Sequence, residues 1–430
     1  MNTRNPSWRR RLLLCVAALL PVWCAAQTAP KPPATICIGT KCSSAASATT
    51  ATTATTSSSV RGIKWHPGQY AWYSPGAVNE VSGYRADLPV HRDAILGFLD
   101  SIATEASVKG VLLAVYWKAL EGDTPGDYTA GFAALDAILA RAAQYNKKVI
   151  LRLEARVDGS FRAISDVFPA YVANGAAFGT TVVNHQDGSY SSTTSRMWQA
   201  ATADRLIALT QAYGARYNSH PALEMFSLGE TALNVADSLD GFSASAWLAQ
   251  LQRLLIAGRA AFPNTAIRVS ANDLWPDSLM QRLLATCEQY AIAVGGPDVW
   301  PQDVTQADRV FAGLDQAGQS LYTDYRDRLP WAVEAQWQSF GGKFTMRQLW
   351  DAEASGYTAP NTQYQGGPRA GQNFLMPSMK VRYFIWYVNE YNGDASTQWK
   401  TAILPLIRSL NGAPASSACP TSYATGCNAN

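Results

Sequence analysis

This sequence has a low net charge and few histidines. Its 430 residues carry a formal net charge of only +3 and four histidines. Without a basic excess there is little to neutralise phosphate groups, so we expect no nucleic-acid partner. No two histidines share the spacing of a metal site. This argues against a metal hydrolase, and we expect no metal and no other cofactor.

Sequence signatures of several other enzyme classes are also missing. Neither G-x-G-x-x-G nor G-x-x-x-x-G-K-[ST], the glycine-rich turns that hold phosphate groups, occurs in the chain. The G-x-S-x-G elbow of serine esterases is absent as well. Nucleotide-dependent chemistry and serine-esterase chemistry are therefore disfavoured.

Long apolar runs are confined to the N-terminus. The run over residues 12–26 is shorter than the ~20 residues of a transmembrane helix and is interrupted by Pro21. Four preceding arginines and small residues at its end indicate a signal peptide over residues 1–26, cleaved before Gln27. A lipoprotein signal ending at Cys24 is the alternative. We expect a secreted or periplasmic monomer without membrane contact once the signal is removed.

Cysteine is sparse too, with two of the seven in the signal segment. Cys37 and Cys42 form one close pair, and Cys419 and Cys427 form another. In an oxidising compartment each pair can close its own loop, although pairing between the two ends stays open. Cys287 lies in a helix-like segment, where we expect a buried free thiol.

Composition divides the chain into a body with two small appendages. Residues 43–59 contain only serine, threonine and alanine, so they cannot bury a core and are expected to form a flexible tether. This tether belongs to a cysteine-containing segment, residues 27–60. It precedes a body over residues 61–411, a size that fits a decorated α/β barrel. A small polar tail, residues 412–430, carries the second cysteine pair.

The body alternates short apolar runs with amphipathic helices. Eight runs have the length of buried strands, and helical periodicity lies between them. This pattern predicts a (β/α)8 TIM barrel with a flexible N-terminal extension, and an open doubly wound sheet is the alternative. The predicted strands cover residues 62–66, 111–116, 149–154, 223–228, 267–270, 291–294, 332–335 and 383–388.

Acids, amides and indoles follow the predicted strands, where a barrel carries its reactive groups. With 14 Trp and 19 Tyr, the chain suits a neutral polyhydroxy ligand, since indoles cover the apolar faces of sugar rings. Each candidate also has a structural alternative. Glu154 can form an ion pair with Arg152, and the two residues after strand 5 can cap a helix. The histidine can be a hydrogen-bonded loop residue, and the tryptophans can belong to the core. The candidate substrate-binding residues are His66, Trp117, Glu154, Asn272, Asp273, Trp300, Trp337 and Trp386.

The segment 219–231 carries a recognisable motif. A His220-Pro221 turn leads into an apolar run that ends in Gly229-Glu230. It resembles the fourth-strand motif of the clan of retaining (β/α)8-barrel glycoside hydrolases, in which the final glutamate is the acid/base. The resemblance implies that role for Glu230. The clan usually has asparagine before this glutamate, so Gly229 puts the contact with the sugar's 2-hydroxyl in doubt.

Two further segments resemble the same clan. Residues 330–337 look like its seventh strand, whose terminal glutamate is the nucleophile, and this implies that role for Glu334. Residues 116–128 resemble a W-x-x-L-E-P-x-x-G-x-Y stretch after the second strand, with Gly122 in place of proline. The individual family is not identified by these motifs.

The resemblance implies cleavage of β-glycosidic bonds in a polysaccharide or oligosaccharide by double displacement. In retaining enzymes two carboxyl groups ~5–5.5 Å apart divide the roles of nucleophile and proton donor. The alternative for each glutamate is a structural acid that caps a helix, and Glu353 and Glu390 are rivals for the nucleophile. The competing function is an inactive barrel that binds carbohydrate or serves as a scaffold.

Overall fold

The computed structural model describes residues 62–75, 87–158, 163–175, 177–184, 191–272, 274, 276–296, 325, 327–335, 380–388 and 399–429. Eight parallel strands form one sheet that is nearly closed into a barrel. A parallel bridge between Val294 and Trp331 joins the two ends of this sheet. The TIM-barrel prediction is confirmed. In chain order, barrel strands 1 to 8 are Gly68–Trp72, Val108–Tyr116, Lys148–Glu154, Leu223–Glu230, Ala266–Ser270, Ala293–Gly295, Ala332–Ala335 and Tyr383–Tyr387.

Helices alternate with the strands, and side chains mark several of their starts. The Asp87 carboxylate accepts a hydrogen bond from the backbone N–H of Val90, and the Ser243 hydroxyl accepts one from Ala246. The described helices are Leu88–Ser101, Trp117–Leu120, Thr129–Gln144, Ile164–Val167, Ala170–Asn174, Ala200–Tyr217, Ala244–Ala261, Asp277–Gln289 and Leu404–Ser409, with a 3-10 turn at Leu239–Gly241 and a π-helical turn at Trp399–Ile403.

The core has two layers separated by the strands. An inner cluster, which includes Tyr70, Met225 and Ile385, fills the barrel interior. An outer cluster packs the strands against the helices, as Leu135 and Ile138 do from one face of Thr129–Gln144. Because alternate residues of a strand point to opposite faces, a strand such as Gly68–Trp72 contributes Tyr70 to the inner cluster and Ala71 to the outer one.

The first predicted strand is wrong as a barrel strand. Within residues 62–66, Ile63–Lys64 is extended but pairs in parallel with Cys427–Asn428, near the C-terminus. The barrel strand is Gly68–Trp72, in which every residue is buried. Local composition could not separate the two runs, because the distinction depends on which distant segment each one pairs with.

The C-terminal tail packs against the amino end of the barrel. Cys419 and Cys427 form a disulfide, so this pair closes its own loop as the spacing suggested. Tyr423 is buried in the inner cluster, and the Trp65 indole donates to the carbonyl of Ser417. Cys287 is a buried free thiol, which confirms that prediction.

The polar insertion after barrel strand 3 forms a small antiparallel sheet. Its strands are Arg156–Asp158, Thr180–Asn184 and Ser191–Ser195, with the last in the middle. Since Arg156 follows barrel strand 3 almost directly, this sheet stands at the carboxyl end of the barrel.

Residues 1–61 lie outside the described part of the chain. The signal peptide, the Cys37 and Cys42 pair and the tether therefore remain predictions. Among the helices that the structure describes, none combines the length and apolarity required to span a membrane.

Candidate active site

A layer of charged side chains occupies the interior of the barrel near its carboxyl end. Arg152, Glu154, Arg268 and Glu334 come from strands 3, 5 and 7, and all are buried. Strand alternation explains this arrangement, because the outer-cluster residues Ile267 and Val269 flank Arg268 and therefore turn it inward.

Ion pairs connect these side chains into one network. Arg152 contacts Glu334 through Nη1, and its Nε lies 2.5 Å from Oε1 of Glu154. Arg268 reaches the same Glu334 carboxylate, with 2.8 Å between Nη1 and Oε1. The Trp72 ring lies 4.3 Å from the Arg152 guanidinium. A buried charge is costly unless it is paired, so these contacts account for the charges inside the barrel.

The network shifts the pKa values of its two arginines in opposite directions. Burial opposes the charged form of Arg152, but the negative charges of Glu154, Glu334 and Glu230 outweigh it and raise the pKa of Arg152. Burial lowers the pKa of Arg268, with Glu334 acting against that change. Since an arginine pKa starts above ~12, both guanidinium groups stay charged.

Glu230 ends barrel strand 4 at a bulge. Leu228 pairs with Val269 and Glu230 with Ser270, so two residues of strand 4 advance against one of strand 5. Such bulges redirect a side chain. Glu230 is half-buried, and Nδ2 of Asn272 donates to its Oε2 at 3.1 Å.

The missing side chain at Gly229 leaves room for Glu154. A Cβ atom at Gly229 would lie 2.4 Å from Oε2 of Glu154. The carboxylate of strand 3 thus stands beside the residue that precedes Glu230. This accounts for glycine at a position where the resembling clan carries asparagine.

Glu230 and Glu334 stand at the same level of the barrel, on strands 4 and 7. Ser270 pairs with both Glu230 and Gly295, and the backbone N–H of Glu334 donates to the carbonyl of Gly296. Arg152 connects them electrostatically, since it contacts Glu334 and its pKa is raised by Glu230. Two carboxyl groups near the carboxyl end of one barrel can supply a proton donor and a negative charge.

Two cavities border this level of the barrel. One, of ≈ 30 Å³, lies between Glu154, Glu230 and apolar side chains that include Leu228 and Trp247. It has space for water but not for a sugar. The other is an open groove of ≈ 870 Å³ that begins at Thr231, directly after Glu230. A groove of this size can hold a small ligand.

Glu154 and Asn272 are the predicted substrate-binding residues that the structure brings beside Glu230. Asn272 contacts Glu230 directly through a hydrogen bond. Asp273, Trp300 and Trp337 lie outside the described residues. So do Glu353 and Glu390, the rivals for the nucleophile role.

Trp117, Trp386 and His66 do not line this site. Trp117 is fully buried and donates from Nε1 to Glu121 at 2.7 Å. Trp386 belongs to the outer cluster, where it stacks on Phe384 with ring centroids 4.2 Å apart. Both are core side chains because of the faces they occupy.

His66 lies at the amino end of the barrel. Its Nδ1 is 2.7 Å from Oε2 of Glu224, the second residue of barrel strand 4. Tyr383, the first residue of barrel strand 8, donates to the other oxygen of Glu224. The strand that precedes His66 is not a barrel strand, which explains why it was expected at the wrong end.

The resembling segment 116–128 has a structural role in this chain. The buried Glu121 carboxylate accepts hydrogen bonds from Trp117, from the backbone of Gly126 and from Tyr171, and it pairs with Arg205. These contacts fasten the loop after strand 2 to the insertion and to the helix Ala200–Tyr217.

Arg268 is the site residue that the sequence interpretation missed. It stands in the middle of the five-residue strand Ala266–Ser270, which is otherwise mainly apolar. An arginine in a buried strand needs an acidic partner, and that requirement was the available signal. The identity of the partner, Glu334, depends on closure of the barrel.

Comparison with known proteins shows a fold similar to that of solved structures. No family model matches the sequence, and no curated protein matches it. GH5_18 from Streptomyces cattleya, solved with Manb1-4GlcNAc, has 11% identity and a TM-score of 0.50 over 80% of this chain and 81% of that one. The β-glucanase SdGluc5_26A from Saccharophagus degradans, solved with cellotetraose, has 12% identity and a TM-score of 0.46 over 81% and 89%. At these identities the comparison shows that the chain shares the barrel fold of glycoside hydrolases.

Proposed function

We propose that the protein is a secreted glycosidase that cleaves β-glycosidic bonds in a polysaccharide or oligosaccharide by double displacement. Glu230 is the acid/base and Glu334 the nucleophile. The observation that carries the proposal is the position of these two carboxyl groups at the carboxyl ends of strands 4 and 7, with Glu334 in contact with Arg152. The fold shared with glycoside hydrolases supports it.

The charges of the site fit this division of roles. Three carboxyl groups, Glu154, Glu230 and Glu334, face two guanidinium groups, those of Arg152 and Arg268. Glu334 contacts both guanidinium groups, and Glu154 contacts that of Arg152. Glu230 is half-buried and accepts a hydrogen bond from the Asn272 amide, and we assign the transferable proton to this carboxyl group.

The reaction then proceeds in two steps, formation of a glycosyl-enzyme and its hydrolysis. The Glu334 carboxylate bonds to the anomeric carbon as the bond to the leaving oxygen breaks, and Glu230 gives its proton to that oxygen. Water, which loses a proton to Glu230, then displaces Glu334 from the anomeric carbon. Asp273, Trp300 and Trp337 remain proposed contacts for the sugar, together with Glu154.

The test is hydrolysis of aryl β-glycosides and β-linked polysaccharides by the wild type, Glu230→Gln and Glu334→Ala. The panel includes β-mannosides and β-glucans, because the ligands of the two solved structures above are of these types. We expect each substitution to lower kcat/KM by about 10²–10⁴-fold, the usual contribution of an acid/base group, or by more for the nucleophile. Wild-type rates in both variants would refute the mechanism.

Azide separates the two roles. In Glu334→Ala, azide replaces the missing nucleophile and should give a glycosyl azide of inverted configuration. In Glu230→Ala, azide attacks the glycosyl-enzyme and should give the retained configuration. The matched control is Glu224→Gln, a buried, ion-paired glutamate at the opposite end of the barrel, whose loss should leave the chemical step intact.

A barrel that binds carbohydrate without hydrolysing it is the second candidate. It is favoured by one observation, which is that the Glu334 side chain is 0% exposed and contacts two arginines. Calorimetric titration with the same oligosaccharides distinguishes the candidates. Binding without release of reducing ends, unchanged in Glu334→Ala, would favour the second.

A further inference from the structure

Asn272 is held in one orientation between the backbone and Glu230. It follows barrel strand 5 and is 5% exposed. Its Oδ1 accepts a hydrogen bond from the N–H of Ala232 at 2.8 Å, and its Nδ2 donates to Oε2 of Glu230 at 3.1 Å. Because Ala232 can only donate at that atom, the amide nitrogen has to face the carboxyl group.

The backbone on either side of this contact is also tied. The N–H of Asn272 donates to the Thr231 hydroxyl at 2.8 Å, and this hydroxyl donates to the carbonyl of Asn272. The Thr231 carbonyl accepts a hydrogen bond from the Trp247 indole, and the Thr231 N–H donates to the carbonyl of Ser270. The ends of strands 4 and 5 are thereby joined at the residues next to Glu230.

We propose that Asn272 is a positioning residue, which fixes the carboxyl plane of Glu230 and stabilises the carboxylate formed when Glu230 gives up its proton. A hydrogen-bond donor on Oε2 favours the ionised form of a carboxyl group. Asn272 thus acts through Glu230 and does not itself bind sugar. The catalytic part of this inference rests on the proposed function, whereas the effect on the ionisation of Glu230 does not.

Other charged groups surround Glu230. Arg152 and Glu154 face it from strand 3, and Arg156 lines the same cavity. Glu334 and Arg268 connect to it through Arg152. These groups are the same in every variant compared below, so a difference in titration reports on residue 272.

The decisive variant is Asn272→Asp, which keeps the acceptor for Ala232 and replaces the Nδ2 donor by a negative oxygen. The matched control is Asn218→Asp at the amino end of the barrel. Asn218 also accepts backbone N–H bonds through Oδ1, from Asn264 and Thr265, and donates through Nδ2 to a side-chain oxygen of Asn264. The two substitutions make the same chemical change in two places.

The measurement is a carbon-13 titration of the Glu230 carboxyl, assigned with Glu230→Gln. We expect its apparent midpoint to rise by about 1 pH unit or more in Asn272→Asp, because a like charge disfavours the second ionisation. Asn218→Asp should leave the midpoint unchanged. Asn272→Ala, which removes the donor without adding charge, should give a smaller rise.

Kinetics then test the catalytic part. In Asn272→Asp, the alkaline limb of the pH profile of kcat/KM should move to higher pH. In Asn218→Asp it should stay at the pH of the wild type. An unchanged Glu230 midpoint in both Asn272 variants, or an equal shift in Asn218→Asp, would overturn the positioning role. If instead the midpoint moves while Glu230→Gln hydrolyses glycosides at the wild-type rate, the proposed function fails and the positioning of Glu230 stands.

Discussion

The Cβ atom that Gly229 lacks would lie 2.4 Å from Oε2 of Glu154. Glu154 is held in place by Arg152, so it cannot move away without losing an ion pair. The residue before Glu230 is therefore restricted to glycine by a carboxylate on the neighbouring strand. Strands 3 and 4 have to be considered together to understand the motif that ends in Glu230.

Gly229→Ala should destabilise the protein, because the new methyl group would collide with the Glu154 carboxylate. We expect a cost of about 1–3 kcal/mol in the free energy of unfolding, typical of overpacking, from urea titrations. In a Glu154→Ala background the same substitution should cost much less. Equal costs in both backgrounds would contradict the contact.

Gly97 supplies the control for that experiment. It lies in the helix Leu88–Ser101, and a Cβ atom there would meet nothing within 4 Å. Gly97→Ala should raise stability by about 0.5–1 kcal/mol, since alanine is the better helix former.

Arg268 should be indispensable as long as Glu334 is present. Arg268→Met leaves a buried carboxylate with one arginine fewer, and we expect a loss of about 3–5 kcal/mol in the free energy of unfolding. The double variant with Glu334→Met should lose less than the sum of the single losses. Additive losses in this cycle would mean that the two side chains do not interact.

A surface arginine provides the comparison. Arg253 pairs with Asp204 at 2.6 Å, but both side chains are about half exposed, at 47% and 59%. Arg253→Met should change stability by no more than about 1 kcal/mol.

The sequence predicted the barrel because buried parallel strands are apolar runs of recognisable length. It also indicated the Arg152–Glu154 pair, which needs only the two-residue period of a strand. That period could have assigned Trp386 as well, since Tyr383, Ile385 and Tyr387 fill the barrel and the tryptophan must point outward.

Contacts between distant segments could not be predicted in this way. The pairing of Ile63–Lys64 with Cys427–Asn428 depends on how the tail packs, and local composition does not encode it. The two arginines on Glu334 depend on barrel closure, which brings strands 3, 5 and 7 around one interior.

Glu224 should make stability depend on acid pH. Burial alone would raise its pKa, but hydrogen bonds and charge from His66, with the Tyr383 hydroxyl, hold it below the ordinary value of 4.5. The folded state therefore binds fewer protons than the unfolded state in this range. The contribution of Glu224 to the free energy of unfolding is complete above pH 4.5 and is lost as the pH falls through the lowered pKa.

Glu224→Gln should remove this contribution. We expect its free energy of unfolding to fall less steeply than that of the wild type between about pH 5 and about pH 3, by urea titration at each pH. At neutral pH the variant should be the less stable protein. Parallel pH curves for the two proteins would rule out Glu224 as a source of acid sensitivity.

The Cys419–Cys427 disulfide should stabilise the amino end of the barrel. It closes a loop between residues eight positions apart and lies beside the strand Cys427–Asn428, which holds Ile63–Lys64. The entropy of such a loop predicts about 2–3 kcal/mol of stabilisation.

Reduction should lower the melting temperature of the wild type towards that of the double variant Cys419→Ser/Cys427→Ser, which the reductant should not affect. Glycosidase activity measured well below either melting temperature should be the same in both proteins, because the disulfide lies at the end of the barrel opposite Glu230. A wild-type melting temperature that does not respond to complete reduction would show that pairing and packing of the tail suffice without the covalent bond.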